Sequence, residues 1–97
     1  MPSYVVLATF TDQGIRGIKE SVSRADAAKE AATRFGVKMK EIFWTQGQYD
    51  IVTLVEGADE TSVAAFGLAL AGQGNVKLQT LRAFSRDEMS AIVKKVP

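Results

Sequence analysis

The chain has 97 residues, of which 46% are hydrophobic and 24% charged, and its 12 basic and 11 acidic residues leave a net charge of +1. This length predicts a single domain over residues 1–97 with one thin core. The balanced charge gives no electrostatic reason to expect nucleic acid or a membrane as a partner. Because Cys and His are absent, thiol nucleophiles, disulfides, Cys/His zinc sites and imidazole acid–base chemistry are excluded.

The N-terminal apolar run covers only residues 4–8. It is too short for a signal peptide or a membrane span. Together with the absence of Cys, this makes the cytoplasm the expected location.

Four segments carry the β-branched and aromatic residues that are typical of strands. The first (residues 4–10) and the third (49–56) are apolar without alternation, which predicts central strands covered on both faces. The second (37–45) carries Lys38 and Lys40 at alternate positions, and the fourth (75–84) carries Lys77 and Gln79 in the same way, which is typical of the edges of a sheet.

Two main helices are predicted between the strands. The first is expected to begin with Ser23 as its N-cap and to end at Gly36. The second is expected to follow the cap Asp59 and to run to about residue 71. No charge occurs between Glu60 and Lys77, which predicts a helix buried on more than one side, either by the C-terminal helix or by another subunit.

Two shorter helical segments complete the pattern. Asp12 is expected to cap a short turn over one end of the sheet, in which Arg16 lies near two glycines. Arg16 either forms an anion cradle with backbone N–H groups or belongs to a solvated basic turn. Ser85 and Glu88 form a capping box that begins a C-terminal helix.

The order β-α-β-β-α-β-α, with right-handed crossovers, predicts an α+β, ferredoxin-like fold. Its antiparallel sheet has the order 4-1-3-2 and is followed by the C-terminal helix. Both main helices then cover the same face, although strands one and three are apolar on both faces. We therefore expect a homo-oligomer, at least a dimer, that buries the second face.

The chain resembles the GYD-domain family of the dimeric α/β-barrel superfamily. The resemblance runs nearly end to end and is carried by Trp44-Thr45-x-Gly47-x-Tyr49-Asp50, by Val55-Glu56, and by residues 11–16, 74–76 and 80–84. It implies the ferredoxin-like fold and adds little chemistry, since that family has no well-established biochemical function. The hairpin is also similar to that of effector-binding domains in feed/famine-type regulators, which bind small amino acids at subunit interfaces. The chain has no helix-turn-helix, so a DNA-binding role is not implied.

Several residues around this hairpin are candidates for ligand binding. Asp50 either binds an ammonium group or acts as a base, or it accepts N–H bonds that fix the turn. Trp44 and Tyr49 either line an apolar pocket or serve as cross-strand partners or interface anchors.

Arg82 interrupts an apolar strand end. It either binds a ligand carboxylate or pairs with Asp50, Glu41 or Glu56 as a structural salt bridge. The remaining candidates are expected on the second sheet face: Tyr4, Phe10 and Thr53.

The hypothesis favoured by these patterns is a cofactor-free oligomeric module that binds a small organic molecule. Trp44 and Tyr49 would form its apolar wall, and Asp50 or Arg82 its polar anchor. One alternative is a structural protein whose assembly is its function. Another is a cofactor-independent enzyme of the isomerase or monooxygenase kind, with Tyr49 and Asp50 as its acid–base pair.

Overall fold

The computed structural model describes residues 1–97 and contains one four-stranded antiparallel sheet and four helices. The strands are β1 (Ser3–Phe10), β2 (Val37–Trp44), β3 (Ile51–Gly57) and β4 (Val76–Ala83). The helices are α1 (Asp12–Arg16), α2 (Ser21–Arg34), α3 (Glu60–Gly72) and α4 (Arg86–Val93), and a 3₁₀ turn at Ile18–Glu20 joins α1 to α2. The strand order β2-β3-β1-β4 is the predicted 4-1-3-2 order, so the ferredoxin-like fold is confirmed.

The core lies between the sheet and the two long helices, α2 and α3. Alternate residues of β1, namely Tyr4, Val6 and Ala8, are buried beneath these helices. Val55 of β3 lies opposite Tyr4 and is almost completely buried. The two central strands therefore supply the floor of the core, as the unbroken apolar runs predict.

The other face of the sheet, which we call the open face, has an apolar centre, next to which Glu41 pairs with Leu54 and Gln79 pairs with Leu7. Directly paired residues share a face of a sheet, and the pairs Val5–Leu54, Leu7–Val52, Val52–Phe43 and Val5–Leu81 define this one. Phe43 and Leu81 retain 58% and 42% of their exposure. The open face is thus an uncovered apolar surface at the centre of the sheet.

A β-bulge in the edge strand β2 changes which side chains face the helices. Met39 pairs with Val55 and Glu41 pairs with Leu54, so Lys40 is the extra residue. Side chains alternate along a strand, and one inserted residue reverses the alternation beyond it. Ile42 therefore packs against the core, while Phe43 lies on the open face.

The predicted beginning of the first main helix is wrong. The 3₁₀ turn at Ile18–Glu20 leads directly into α2, which begins at Ser21 rather than after Ser23. The hydroxyl of Ser23 instead donates to the carbonyl oxygen of Glu20, at 2.9 Å. Gly36, at a φ of 72°, ends the helix as predicted.

The other caps are hydroxyl and carboxylate groups. Thr11, not the predicted Asp12, caps α1, because its Oγ1 accepts the N–H of Gly14 at 3.1 Å. Asp59 caps α3 and Ser85 forms a complete capping box at α4, both as predicted.

Helix α4 projects from the end of β4 and makes only slight contact with the rest of the chain. The apolar side chains of Met89, Val93 and Val96 are exposed along and beyond it.

None of the helices has both the length and the apolar composition needed to cross a membrane.

A substitution at Gly14 tests how closely α1 packs on the loop before β4. A Cβ at position 14 would collide with the carbonyl oxygen of Asn75, which already accepts the N–H of Thr11. We expect Gly14→Ala to lower the free energy of unfolding by about 1–3 kcal/mol, since the backbone must move. Urea denaturation measures this change. The control is Gly72→Ala, because a Cβ at Gly72 meets nothing within 4 Å; equal loss in both variants would contradict the close packing.

Candidate functional site

A cavity lies between α2, α3 and the sheet, and we call it the interhelical cavity. Its volume is about 100 Å³, and most of the residues that line it are apolar. Phe35, which directly follows α2, packs against Phe66 of α3, and their ring centroids are 5.7 Å apart. The apolar residues that α2 presents to the cavity are the small Ala25 and Ala28, whereas α3 presents Val63, Phe66, Gly67 and Leu70. Short apolar side chains on α2 thus leave the space open.

The polar side chains that line the cavity are Ser21, Arg24, Thr53, Gln73, Asn75 and Thr80. Arg24 is half-buried and donates to the carbonyl oxygens of Gly17 and Gly14, at 2.8 and 3.4 Å. It forms no salt bridge. The guanidinium charge therefore has backbone partners but no carboxylate.

Trp44 forms a hydrogen bond with Ser21, which lines the interhelical cavity. The indole Nε1 of Trp44 donates to Oγ of Ser21 at 2.9 Å, and Ser21 is buried. The bulge in β2 turns Trp44 toward α2 and makes this bond possible. The Ser21 hydroxyl accepts the indole hydrogen, and its own hydrogen has no acceptor within the chain.

The structure does not bring the eight predicted ligand-binding residues into one site. Phe10 and Thr53 line the interhelical cavity, and Trp44 reaches it through Ser21. The hydroxyl of Tyr49 instead donates to Oε1 of Gln79, at 3.0 Å.

Three of these residues lie on the opposite face from the one expected. Tyr4 belongs to the buried core, and Phe10 and Thr53 line the cavity under the helices. The expectation that they lie on the second face is therefore wrong. In strands without polar–apolar alternation, the residue pattern does not show which side chains point to which face. The hydroxyl of Tyr4 is buried and has no hydrogen-bond partner.

Asp50 anchors the hairpin to the neighbouring strand. Its Oδ2 accepts the backbone N–H of Phe10 at 2.8 Å, and its own N–H donates to the carbonyl oxygen of Ala8 at 2.8 Å. On the other side, the backbone N–H of Thr45 donates to the Asp50 carbonyl at 2.8 Å. The carboxylate thus fixes the turn, which is the structural alternative for this residue.

Arg82 forms its contacts at the end of the sheet that is opposite the Asp50 hairpin. It pairs with Glu88 at 3.4 Å, not with Asp50, Glu41 or Glu56. Its guanidinium also donates to the carbonyl oxygens of Ser3 and Ala83 and lies over the ring of Phe84, 4.5 Å from the centroid. Arg16 is exposed in α1, and no salt bridge involves it.

Two carboxylates have shifted pKa values, and both begin helices away from the cavity. The backbone N–H of Ser62 is the main cause that holds the pKa of Asp59 below its ordinary value. The backbone N–H of Ser85 acts in the same way on the pKa of Glu88, with a smaller contribution from Arg82. In both cases the N–H bonds at a helix start favour the charged form of the carboxylate.

Of the six polar residues that line the cavity, the sequence pattern identified only Thr53, and the two that it missed on α2 are Ser21 and Arg24. Placing the helix start at Ser23 left Ser21 outside α2 and treated Arg24 as part of the first turn. On a helix that begins at Ser21, the two residues are three positions apart and share one face. The signal was therefore present, and it was obscured by a serine that resembles a cap.

Replacing Asp50 tests its structural role. Asp50→Ala leaves the N–H of Phe10 without its acceptor, and we expect it to lower the free energy of unfolding by about 1–2 kcal/mol. Asp50→Asn keeps an acceptor oxygen and should lose less than half as much. Urea denaturation compares the variants, with Asp26→Ala on the exposed side of α2 as a control. A stability of Asp50→Ala equal to that of the unmodified chain would remove the anchoring role.

Comparison with known proteins agrees with this architecture. Residues 4–93 match the sequence model of the GYD domain. A protein of Thermus thermophilus, described as "Glutamine synthetase and cystathionine beta-lyase binding protein", is 35% identical over 95 residues. The match covers 97% of this chain and 100% of that relative. The chain therefore belongs to the GYD domain family.

Proposed function

We propose that this protein is a self-associating module that binds other enzymes. The observation that carries the proposal is a second apolar surface, on α3, in addition to the open face of the sheet. The relative from Thermus thermophilus, which matches this chain along its whole length, is named for binding two enzymes. Two separate apolar surfaces suit a protein that contacts a second copy of itself and a different partner at once.

The open face is the surface for self-association. Val5, Leu7, Val52 and Leu54 form its centre, and the more exposed Phe43 extends it along the edge strand. An apolar patch of roughly several hundred Å² is rarely left exposed on a monomer. A second copy related by a two-fold axis would bury this face against its own equivalent.

The outer face of α3 is the surface for the enzyme partner. Its exposed residues are Ala64, Ala65, Leu68 and Ala69. Leu68 retains 74% of its exposure, which makes it the most exposed large apolar side chain of the chain. Depletion of charge is typical of the centre of a protein interface, and α3 carries no charge after Glu60.

A charge on the open face tests self-association. We expect Leu54→Glu to raise the dissociation constant of the dimer by about two orders of magnitude or more, because it buries an unpaired carboxylate. Native mass spectrometry at several concentrations measures the subunit count. Leu68→Glu is the matched control and is expected to remain a dimer. A monomeric unmodified chain would contradict the assignment of the open face.

A charge on α3 tests the enzyme-binding surface. We expect purified glutamine synthetase or cystathionine β-lyase from the source organism to bind the unmodified chain, and Leu68→Glu to weaken that binding by about tenfold or more. Biolayer interferometry gives both affinities. Ala27→Glu, an equal charge change on the exposed side of α2, is the control. The proposal fails if neither enzyme binds, and the α3 assignment fails if both variants bind equally.

A second candidate function is the binding of a small organic molecule, and the interhelical cavity favours it. The cavity combines an apolar lining with a few polar groups, which is the usual composition of a ligand pocket. Phe10 and Thr53 of the predicted ligand-binding set contribute to its walls. The two functions are compatible, since the cavity lies inside the chain and the proposed docking surfaces lie outside it.

A further inference from the structure

We propose that the interhelical cavity binds a small apolar carboxylate. Its hydrocarbon body would occupy the space between α2, α3 and the sheet, and its carboxylate would contact Arg24 and Ser21. The proposal deepens the second candidate function by naming the class of ligand, and it does not depend on enzyme binding.

The size and lining of the cavity define the hydrocarbon part. The volume of about 100 Å³ is somewhat less than that of an engineered cavity of ~150 Å³ that takes up benzene. A branched group of about four or five carbon atoms is therefore the appropriate size. The floor is formed by Val6, Ala8 and Ile51, and Phe66 and Leu70 contribute from α3. Burying a hydrocarbon against such walls supplies the main attraction.

Arg24 provides the positive end. A guanidinium has five N–H donors, and the two contacts to Gly14 and Gly17 leave donors free to bind a further acceptor. Because no carboxylate of the chain pairs with Arg24, its charge is not cancelled by an ionic partner. A carboxylate matches the planar fork of a guanidinium better than other anions of similar size.

Ser21 provides a second donor next to the first. Its hydroxyl accepts the indole N–H of Trp44, so the hydroxyl hydrogen is available for a ligand oxygen. Ser21 and Arg24 lie three positions apart on α2, and both line the cavity. Two donors on one side of an apolar space select an acceptor at that end of the ligand.

The charge of the ligand follows from what the lining contains. None of the residues that line the cavity is Asp or Glu, so an ammonium group would have no counter-ion there. Arg24 is the one cation of the lining. A single negative charge balances it, whereas a doubly charged phosphate would leave an uncompensated charge beside an apolar space.

Trp44 reports on occupation of the cavity. It is the single tryptophan of the chain, and its indole is bonded to one of the two proposed ligand contacts. A ligand that engages Ser21 changes the environment of that indole. Tryptophan fluorescence therefore follows binding without a label.

The test is a fluorescence titration with 4-methylpentanoate, with 4-methylpentan-1-ol as the neutral compound of matched shape. We expect the carboxylate to give a saturable change with a dissociation constant of about 1 mM or lower. We expect the alcohol to bind at least about tenfold more weakly, since it has no negative charge to pair with the guanidinium and only one oxygen to accept its N–H groups. Equal binding of the two compounds overturns the carboxylate assignment and leaves the cavity as a small-molecule site. Saturation with neither compound overturns both.

Two variants locate the binding. Arg24→Gln is expected to weaken the carboxylate by about tenfold or more and to leave the alcohol unchanged. Arg34→Gln is the control, because Arg34 is an exposed arginine of the same helix that does not line the cavity. Ala28→Leu fills the cavity and is expected to abolish binding of both compounds. An unchanged affinity in Arg24→Gln or in Ala28→Leu overturns the proposed location. If Arg24→Gln does not fold, the comparison of the two compounds on the unmodified chain, together with Ala28→Leu, still tests whether the cavity binds a carboxylate.

Discussion

The sheet has two apolar faces but only one layer of long helices, and the rest of the structure depends on this imbalance. The central strands β1 and β3 carry aliphatic side chains on both sides, and α2 and α3 cover one of them. Burial of that side supplies the core of the chain. The other side has no cover within the chain, so the two strands that supply the core also supply the surface that we propose for self-association.

Small residues have two opposite effects in the helical layer. The alanines of α2 allow it to lie close to the sheet, and Ala32 is completely buried. At the interhelical cavity, however, Ala25 and Ala28 of α2 are too short to fill the space beneath them. On the outside of α3 the same kind of composition leaves a smooth surface without charge. The abundance of alanine in α2 and α3 thus contributes both to the interhelical cavity and to the uncharged outer face of α3.

Most of the fold was predictable from the sequence, whereas most of the candidate site was not. Unbroken apolar runs and alternating polar residues identified the central and edge strands. The caps at Asp59 and Ser85 depend on local chemistry that a short segment specifies by itself. The faces of Phe10 and Thr53 depend on the phase of each strand, which is set by pairing across the sheet rather than within a segment. The partner of Arg82 was missed because Glu88 comes into reach only once α4 has formed. The cavity has no signature in the sequence at all, since it arises from the distance between two helices.

Because Lys40 is an extra residue in β2, the number of residues along the strand does not by itself determine the face on which each side chain lies. If the same residues paired without a bulge, Glu41 and Phe43 would point inward, and Ile42 and Trp44 would point outward. Removal of Lys40 itself would instead restore regular alternation and leave these four residues on the faces that they now occupy. The bulge is thus the one position in the strand at which a residue can be removed without moving the other side chains to the opposite face of the sheet. A deletion at any other place in its second half would have to be compensated by a shift of the bulge.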